Sequence, residues 1–163
     1  MFKHPTGDQT VTSITNIDEK MIQPNTIDLR IKSVNVIGSG PMHMDENQKI
    51  PRKNYPLKTI NDLFLGEHFL LDQGRCYEII SDQLVTIGEG EMAILLGRST
   101  FNRNGVLIIS SVYDSGFKDY AAATCYNIQG ETTFTPGTRF AHLIIGTAET
   151  IGKYDGDYGY HKT

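Results

Sequence analysis

The chain has 163 residues, 39% of them hydrophobic and 21% charged, with a net charge of −4. That length suits one domain with a real core, and the ordinary composition suits a soluble globular protein. The acidic balance argues against a general binder of nucleic-acid polymers, and the apolar runs are too short to span a membrane.

In chain order, MFKHPTGDQT lacks the apolar stretch of a secretory signal. NIDEKMI (16–22) could form a short helix capped by Asn16. TIDLRI (26–31) reads as a strand with Ile27, Leu29 and Ile31 on one face. The polar, Gly- and Pro-containing segment 38–56 reads as a surface loop or ribbon. TINDLFL (59–65) offers a further helical turn or two. HFLLD and CYEII follow as strands around a QGR turn. EMAILLG, GVLIISSVY, YAAATCY and RFAHLIIG are further strands, rich in β-branched or aromatic residues. TPGT (135–138) is a turn, and residues 152–163 mix Gly, Tyr and charge as a flexible tail would. The pattern predicts an all-β barrel or sandwich with a mobile C-terminal arm.

Cys76 and Cys125 are far apart and read as a reduced pair, which predicts a cytoplasmic protein. Cys125 reads as a small buried apolar residue, since no activating His or Lys adjoins it. No CxxC or His/Cys cluster offers a zinc site.

Two segments could carry chemistry. In LLGRSTFNRNG, Arg98, Ser99 and Thr100 present a guanidinium, two hydroxyls and backbone N–H groups, with Arg103 close behind. Such donors suit phosphate oxygens; the alternative is a polar loop in which the hydroxyls cap a turn. In VYDSGFKDY, Asp114 precedes Ser115-Gly116. It could form the turn with its own side chain, or it could orient a water or bind a sugar hydroxyl.

Five segments resemble the dUTPase and dCTP deaminase superfamily. They are QPNTIDLRI (23–31), GRSTFNRNG (97–105), VYDSGFKDY (112–120), TPGTRFAHLII (135–145) and GKYDGDYG (152–159). Their order and compatible spacing, more than any single motif, carry the resemblance.

The resemblance implies a jelly-roll-like distorted β-barrel over residues 1–151 that assembles as a homotrimer. It implies a C-terminal arm, 152–163, closing over nucleotide at sites between subunits. Arg98, Ser99, Thr100 and Arg103 would hold the triphosphate, helped by His142 and Lys153. Asp114 would contact the sugar or position the attacking water, and Phe117 would pack on the deoxyribose. The backbone of Ser110, Ser111, Val112 and Tyr113 would read the pyrimidine. Mg²⁺ would be held mainly by the triphosphate itself. Asp28 would sit near the trimer centre or metal-bound waters; as a strand residue it could equally pair with Arg30 or a neighbouring subunit.

Three positions depart from the deaminase pattern. Thr124 stands where deaminases use a glutamate, and a hydroxyl cannot shuttle the protons that replacing an amine requires. Asp119 would not rescue that role on a regular strand, because it and Thr124 would face opposite sides unless a bulge intervened. His142 replaces a glutamine and could be a phosphate donor or a satisfied core histidine. Asp157 replaces a glutamine in the arm, where an acid would repel triphosphate. The expected activity is therefore Mg²⁺-dependent conversion of dUTP to dUMP and pyrophosphate, with Asp114 orienting water. dCTP deamination, alone or with that step, and non-catalytic nucleotide binding are the alternatives.

Overall fold

The structure is a computed structural model that describes residues 1–156. Its principal strands are β1 (Ile27–Ile37), β2 (Gly66–Leu71), β3 (Arg75–Thr86), β4 (Glu91–Gly97), β5 (Val106–Ile108), β6 (Ser111–Tyr113), β7 (Lys118–Asn127), β8 (Thr132–Phe134) and β9 (Arg139–Thr147). One short helix, α1 (Ser99–Arg103), follows β4.

The main sheet runs in the order β5–β7–β3–β1–β9–β4–β6, with all of these neighbours antiparallel. It curls until its ends meet. Tyr113 at the β6 end donates its hydroxyl to the Ala122 carbonyl of β7 at 2.8 Å and accepts from the Ala122 amide at 3.0 Å. The all-β, dUTPase-like distorted barrel expected from the sequence is the fold that forms.

Alternation along the strands explains the core. In β3, Tyr77, Ile79, Ser81, Gln83 and Val85 point inward, with partly exposed residues between them. In β9, Phe140, Leu143 and Ile145 are fully buried. Each such apolar side chain contributes about 1.5–3 kcal/mol relative to exposure. Buried polar groups are paired as burial requires. Asn127 donates to the carbonyls of Leu71, Asp72 and Gly130 and accepts from Thr132, joining β7 to the ends of β2 and β8. Gln83 accepts from the Arg30 amide and donates to the Asn16 carbonyl.

Local structure differs from the sequence reading at four places. GVLIISSVY breaks at Ile109–Ser110 into β5 and β6, which join opposite ends of the sheet path. Segment 16–22 holds only a 3₁₀ turn, Glu19–Met21, capped by Asp18 rather than Asn16. TINDLFL is not helical: Ile60–Asp62 pairs with β2, and the Asp62 carboxylate accepts from the amides of Phe64 and Leu65 to make the turn. Residues 99–103, for which a polar loop was one of two readings, form α1. Segment 38–56 is a ribbon in part, since His43–Met44 pairs with Lys49–Ile50.

Candidate active site

Residues 111–123 form a splayed hairpin. Phe117 N–H donates to the Asp114 carbonyl at 3.0 Å, and Gly116 takes φ +86°, so backbone alone closes the turn. The two arms then part. Ser111–Tyr113 pairs with Ala93–Leu95, whereas Lys118–Tyr120 pairs with Leu84–Thr86. Between them opens a cavity of about 520 Å³. Its walls include Ser111, Val112 and Tyr113 on one side and Ala122, Ala123 and Thr124 on the other. Phe117 and Tyr154 also line it.

Phe117 is buried, with its ring 4.7 Å from that of Tyr113 and 5.5 Å from that of Tyr154. Burial, partly offset by the bond to Ala122, pushes the Tyr113 hydroxyl up to about 12, so it stays a neutral donor. Among the described residues, no Lys, Arg or His lines this cavity. With two carboxylates, Glu78 and Asp119, and no cation among its described lining residues, the cavity suits the neutral part of a ligand, not its phosphates.

The pairing of β7 with β3 is irregular between Tyr120 and Ala122, where three β3 residues, Ser81 to Gln83, oppose Ala121. The extra residues lie on β3, while β7 keeps its alternation from Ala121 to Asn127, and Asp119 and Thr124 both line the cavity. So does Glu78, the direct cross-strand partner of Thr124. Sequence reasoning missed Glu78, because only the pairing of two distant strands reveals it.

Asp114 lies outside this cavity. Its exposed side chain makes no hydrogen bond among the described residues, so the turn leaves the carboxylate free. It lines a second cavity of about 540 Å³ with Ser115, Lys153 and Asp155. The start of the arm packs there: Tyr154 N–H donates to the Ser115 carbonyl at 2.8 Å. A Cβ on Gly116 would meet the Lys153 Cβ at 3.2 Å, so glycine serves both the turn and the close passage of the arm. Lys153 is exposed, its ammonium 4.0 Å from Glu89. Asp157 lies outside the described residues.

Arg98 and His142, two of the residues expected to bind phosphate, lie elsewhere, around Asp28. This carboxylate is fully buried. It accepts from His142 Nδ1 at 2.6 Å and Arg139 Nη1 at 3.0 Å, and Arg98 Nε stands 3.8 Å away. Arg30 pairs instead with Asp18 and Asp82, so the expected Asp28–Arg30 pair does not form. The side chains of Arg98, Arg139 and His142 each remain about one-third exposed. Two arginines around one carboxylate leave a positive surface. Arg98 also donates to the Arg139 carbonyl at 3.2 Å and leads directly into Ser99 and Thr100 on α1. Gly97 is required there, since a Cβ would meet the Ile108 Cβ at 2.6 Å. Arg139 went unremarked in the sequence, although it follows the TPGT turn.

Arg98, Ser99, Thr100, Arg103 and His142 line neither of the two cavities. One chain therefore does not bring these five residues, the hairpin cavity and Asp114 into a common cavity. Ser110, expected to help read the base, is exposed at the break before β6 and is also outside both cavities.

A family model for dCTP deaminase-like proteins matches residues 5–148. The chain belongs to the dCTP deaminase-like family. Relatives of this dCTP deaminase-like chain carry both activities in their names. A probable deoxyuridine 5′-triphosphate nucleotidohydrolase of Methanothermobacter thermautotrophicus is 29% identical over 155 residues, covering 93% of this chain and 97% of the relative. A dCTP deaminase of Saccharolobus solfataricus is 26% identical over 152 residues, covering 90% of this chain and 79% of the relative. Two solved structures share the fold. The 2′-deoxycytidine 5′-triphosphate deaminase of Agrobacterium tumefaciens aligns with a TM-score of 0.63 at 12% identity over 84% of this chain. This chain spans 43% of the length of that deaminase chain. The EIAV dUTPase aligns with a TM-score of 0.55 at 16% identity, covering 90% of this chain and 97% of that one.

Proposed function

We propose that the chain is a dUTP diphosphatase that releases dUMP and pyrophosphate. The observation that carries this reading is the free carboxylate of Asp114, presented on a turn that backbone hydrogen bonds and a glycine already hold. Hydrolysis at phosphorus needs one such group to orient a water. The water attacks the α-phosphorus, the bond from that phosphorus to the bridging oxygen breaks, and pyrophosphate leaves.

In this reading the hairpin cavity takes the pyrimidine, with Phe117 near the sugar and the backbone of Ser110 to Tyr113 along the base. Arg98, Ser99, Thr100, Arg103 and His142 bind the phosphates, and Lys153 reaches them from the arm. Charge-assisted bonds from these groups stabilise the leaving pyrophosphate. Their separation from the hairpin cavity within one chain supports a homotrimer whose sites are completed by neighbouring subunits, with residues 152–163 as the closing arm.

Mg²⁺ fits as an ion carried by the triphosphate. No cluster of three His, Cys, Asp or Glu side chains able to hold a metal exists among the described residues, and Mg²⁺ commonly takes phosphates and waters as most of its ligands. When bound, it would neutralise phosphate charge.

One observation favours a second reading, dCTP deamination. Glu78 and Asp119 both line the hairpin cavity, and either carboxylate is chemically able to move protons during amine loss. Incubation with Mg²⁺ and each deoxynucleoside triphosphate, followed by chromatography, separates the readings. The diphosphatase yields dUMP and pyrophosphate from dUTP. Ammonia and dUTP from dCTP would overturn it in favour of the deaminase. Binding without product would leave a nucleotide-binding homologue.

A further inference from the structure

The hairpin cavity contains a carboxylate that four strands place with care. Asn35 on β1, Glu78 on β3 and Thr124 on β7 are in register across the sheet. One oxygen of Glu78, Oε2, accepts from Asn35 Nδ2 at 2.8 Å and from Asn54 Nδ2 at 3.0 Å. Asn54 comes from the short strand that pairs with the far end of β1. The other oxygen, Oε1, has no hydrogen-bond partner among the described residues. Glu78 is partly buried, lines the cavity, and has no cation beside it there.

Two neutral amides thus fix the orientation of this group without balancing its charge. An ionised carboxylate only accepts hydrogen bonds. Its remaining oxygen is therefore complementary to an N–H donor on whatever fills the cavity, and it opposes an acceptor. Uracil and cytosine differ in this respect at ring nitrogen 3: uracil carries N–H there, and cytosine a lone pair. Thr124 beside it both donates and accepts, so it adapts to either substituent at carbon 4. Asp119, the other carboxylate of the cavity, already accepts from the Tyr120 amide at 2.7 Å, so discrimination falls to Glu78.

We infer that Glu78 is the specificity-determining residue of the hairpin cavity and accepts the N3–H of a uracil ring. The inference rests on the dUTP reading above, in which that cavity holds the base. A site built to pair one polar group rejects an analogue that leaves the group unpaired.

Glu78→Gln tests this with little change in shape. The glutamine oxygen can keep Asn35 and Asn54, which turns its NH₂ toward the cavity. That group donates to cytosine N3 and opposes uracil N3–H. The full-length protein and the variant are titrated calorimetrically with α,β-imido dUTP and α,β-imido dCTP. The wild type is expected to favour the uracil analogue by at least about tenfold, and E78Q to lose or reverse that preference. Asn54→Ala, at an exposed position, is expected to narrow the preference by loosening the carboxylate. Equal losses for both analogues, an unchanged ratio in both variants, or a wild-type preference for cytosine would overturn the assignment of Glu78 while leaving nucleotide binding intact. If neither analogue binds the wild type, the dUTP reading itself fails, and the assignment with it.

Discussion

Asp28 and His142 face each other across β1 and β9, with the carboxylate Oδ1 and imidazole Nδ1 2.6 Å apart. The same buried carboxylate holds Arg139 and stands near Arg98, so one acid orients the groups expected to meet phosphate. Asp28→Asn leaves those cations without their shared counter-charge. Removing one partner of a buried ion pair costs about 3–5 kcal/mol. Denaturant unfolding is expected to show a loss of that order, and His142→Gln a smaller one because its side chain is partly exposed.

Tyr113→Phe removes the hydroxyl that satisfies both the amide and the carbonyl of Ala122. Leaving buried backbone groups unpaired costs about 1–3 kcal/mol, and because Ala122 is only partly buried the low end of that range is expected. The same deletion unties the hairpin from β7, so nucleotide affinity is expected to fall along with stability. Ultraviolet titration of the wild type is expected to show one tyrosine that ionises only near pH 12, and Y113F is expected to lack it.

Glu91 predicts acid sensitivity. Burial alone would raise its pKa, but bonds from Lys3, Thr12, Thr10 and the Val11 amide outweigh burial and hold it at about 2. A pKa depressed in the folded state stabilises the fold above the unfolded value. That stability is lost as pH falls from about 4.5 through about 2, a contribution of roughly 3 kcal/mol. Unfolding free energies measured across that window are expected to decline, and Glu91→Gln is expected to flatten the decline at a lower overall stability.

Gly116→Ala joins a strained positive φ to a contact with the Lys153 side chain. A loss of about 1 kcal/mol or more is expected. Displacement of the arm is expected to raise KM more than it lowers kcat.

Much of the barrel was legible, because buried strands announce themselves by alternation, as Tyr77, Ile79 and Val85 do. Residues 59–65 misled because an apolar run suggests an amphipathic turn, whereas Leu63 and Phe64 are almost fully exposed around a turn made by Asp62. The candidate site was proposed from local motifs: Gly97 to Thr100 and Asp114 to Phe117 stand in short segments. Its non-local parts were not legible. Asp119 and Thr124 line one cavity where the β3–β7 pairing is irregular, and the register between those strands sets Glu78 against Thr124. Spacing along one strand contains neither fact. The pairing of Asp28 with His142 and Arg139, rather than with nearby Arg30, likewise depends on which strands become neighbours.

The central claim is that Asp114 orients the water that attacks the α-phosphorus of dUTP. Single-turnover hydrolysis of dUTP with Mg²⁺, compared between the wild type and Asp114→Asn, tests it most directly when paired with the binding of α,β-imido dUTP. The account predicts dUMP and pyrophosphate from the wild type, and from D114N a rate lower by about 100-fold or more with affinity for the imido analogue retained. Hydrolysis by D114N at the wild-type rate would contradict it.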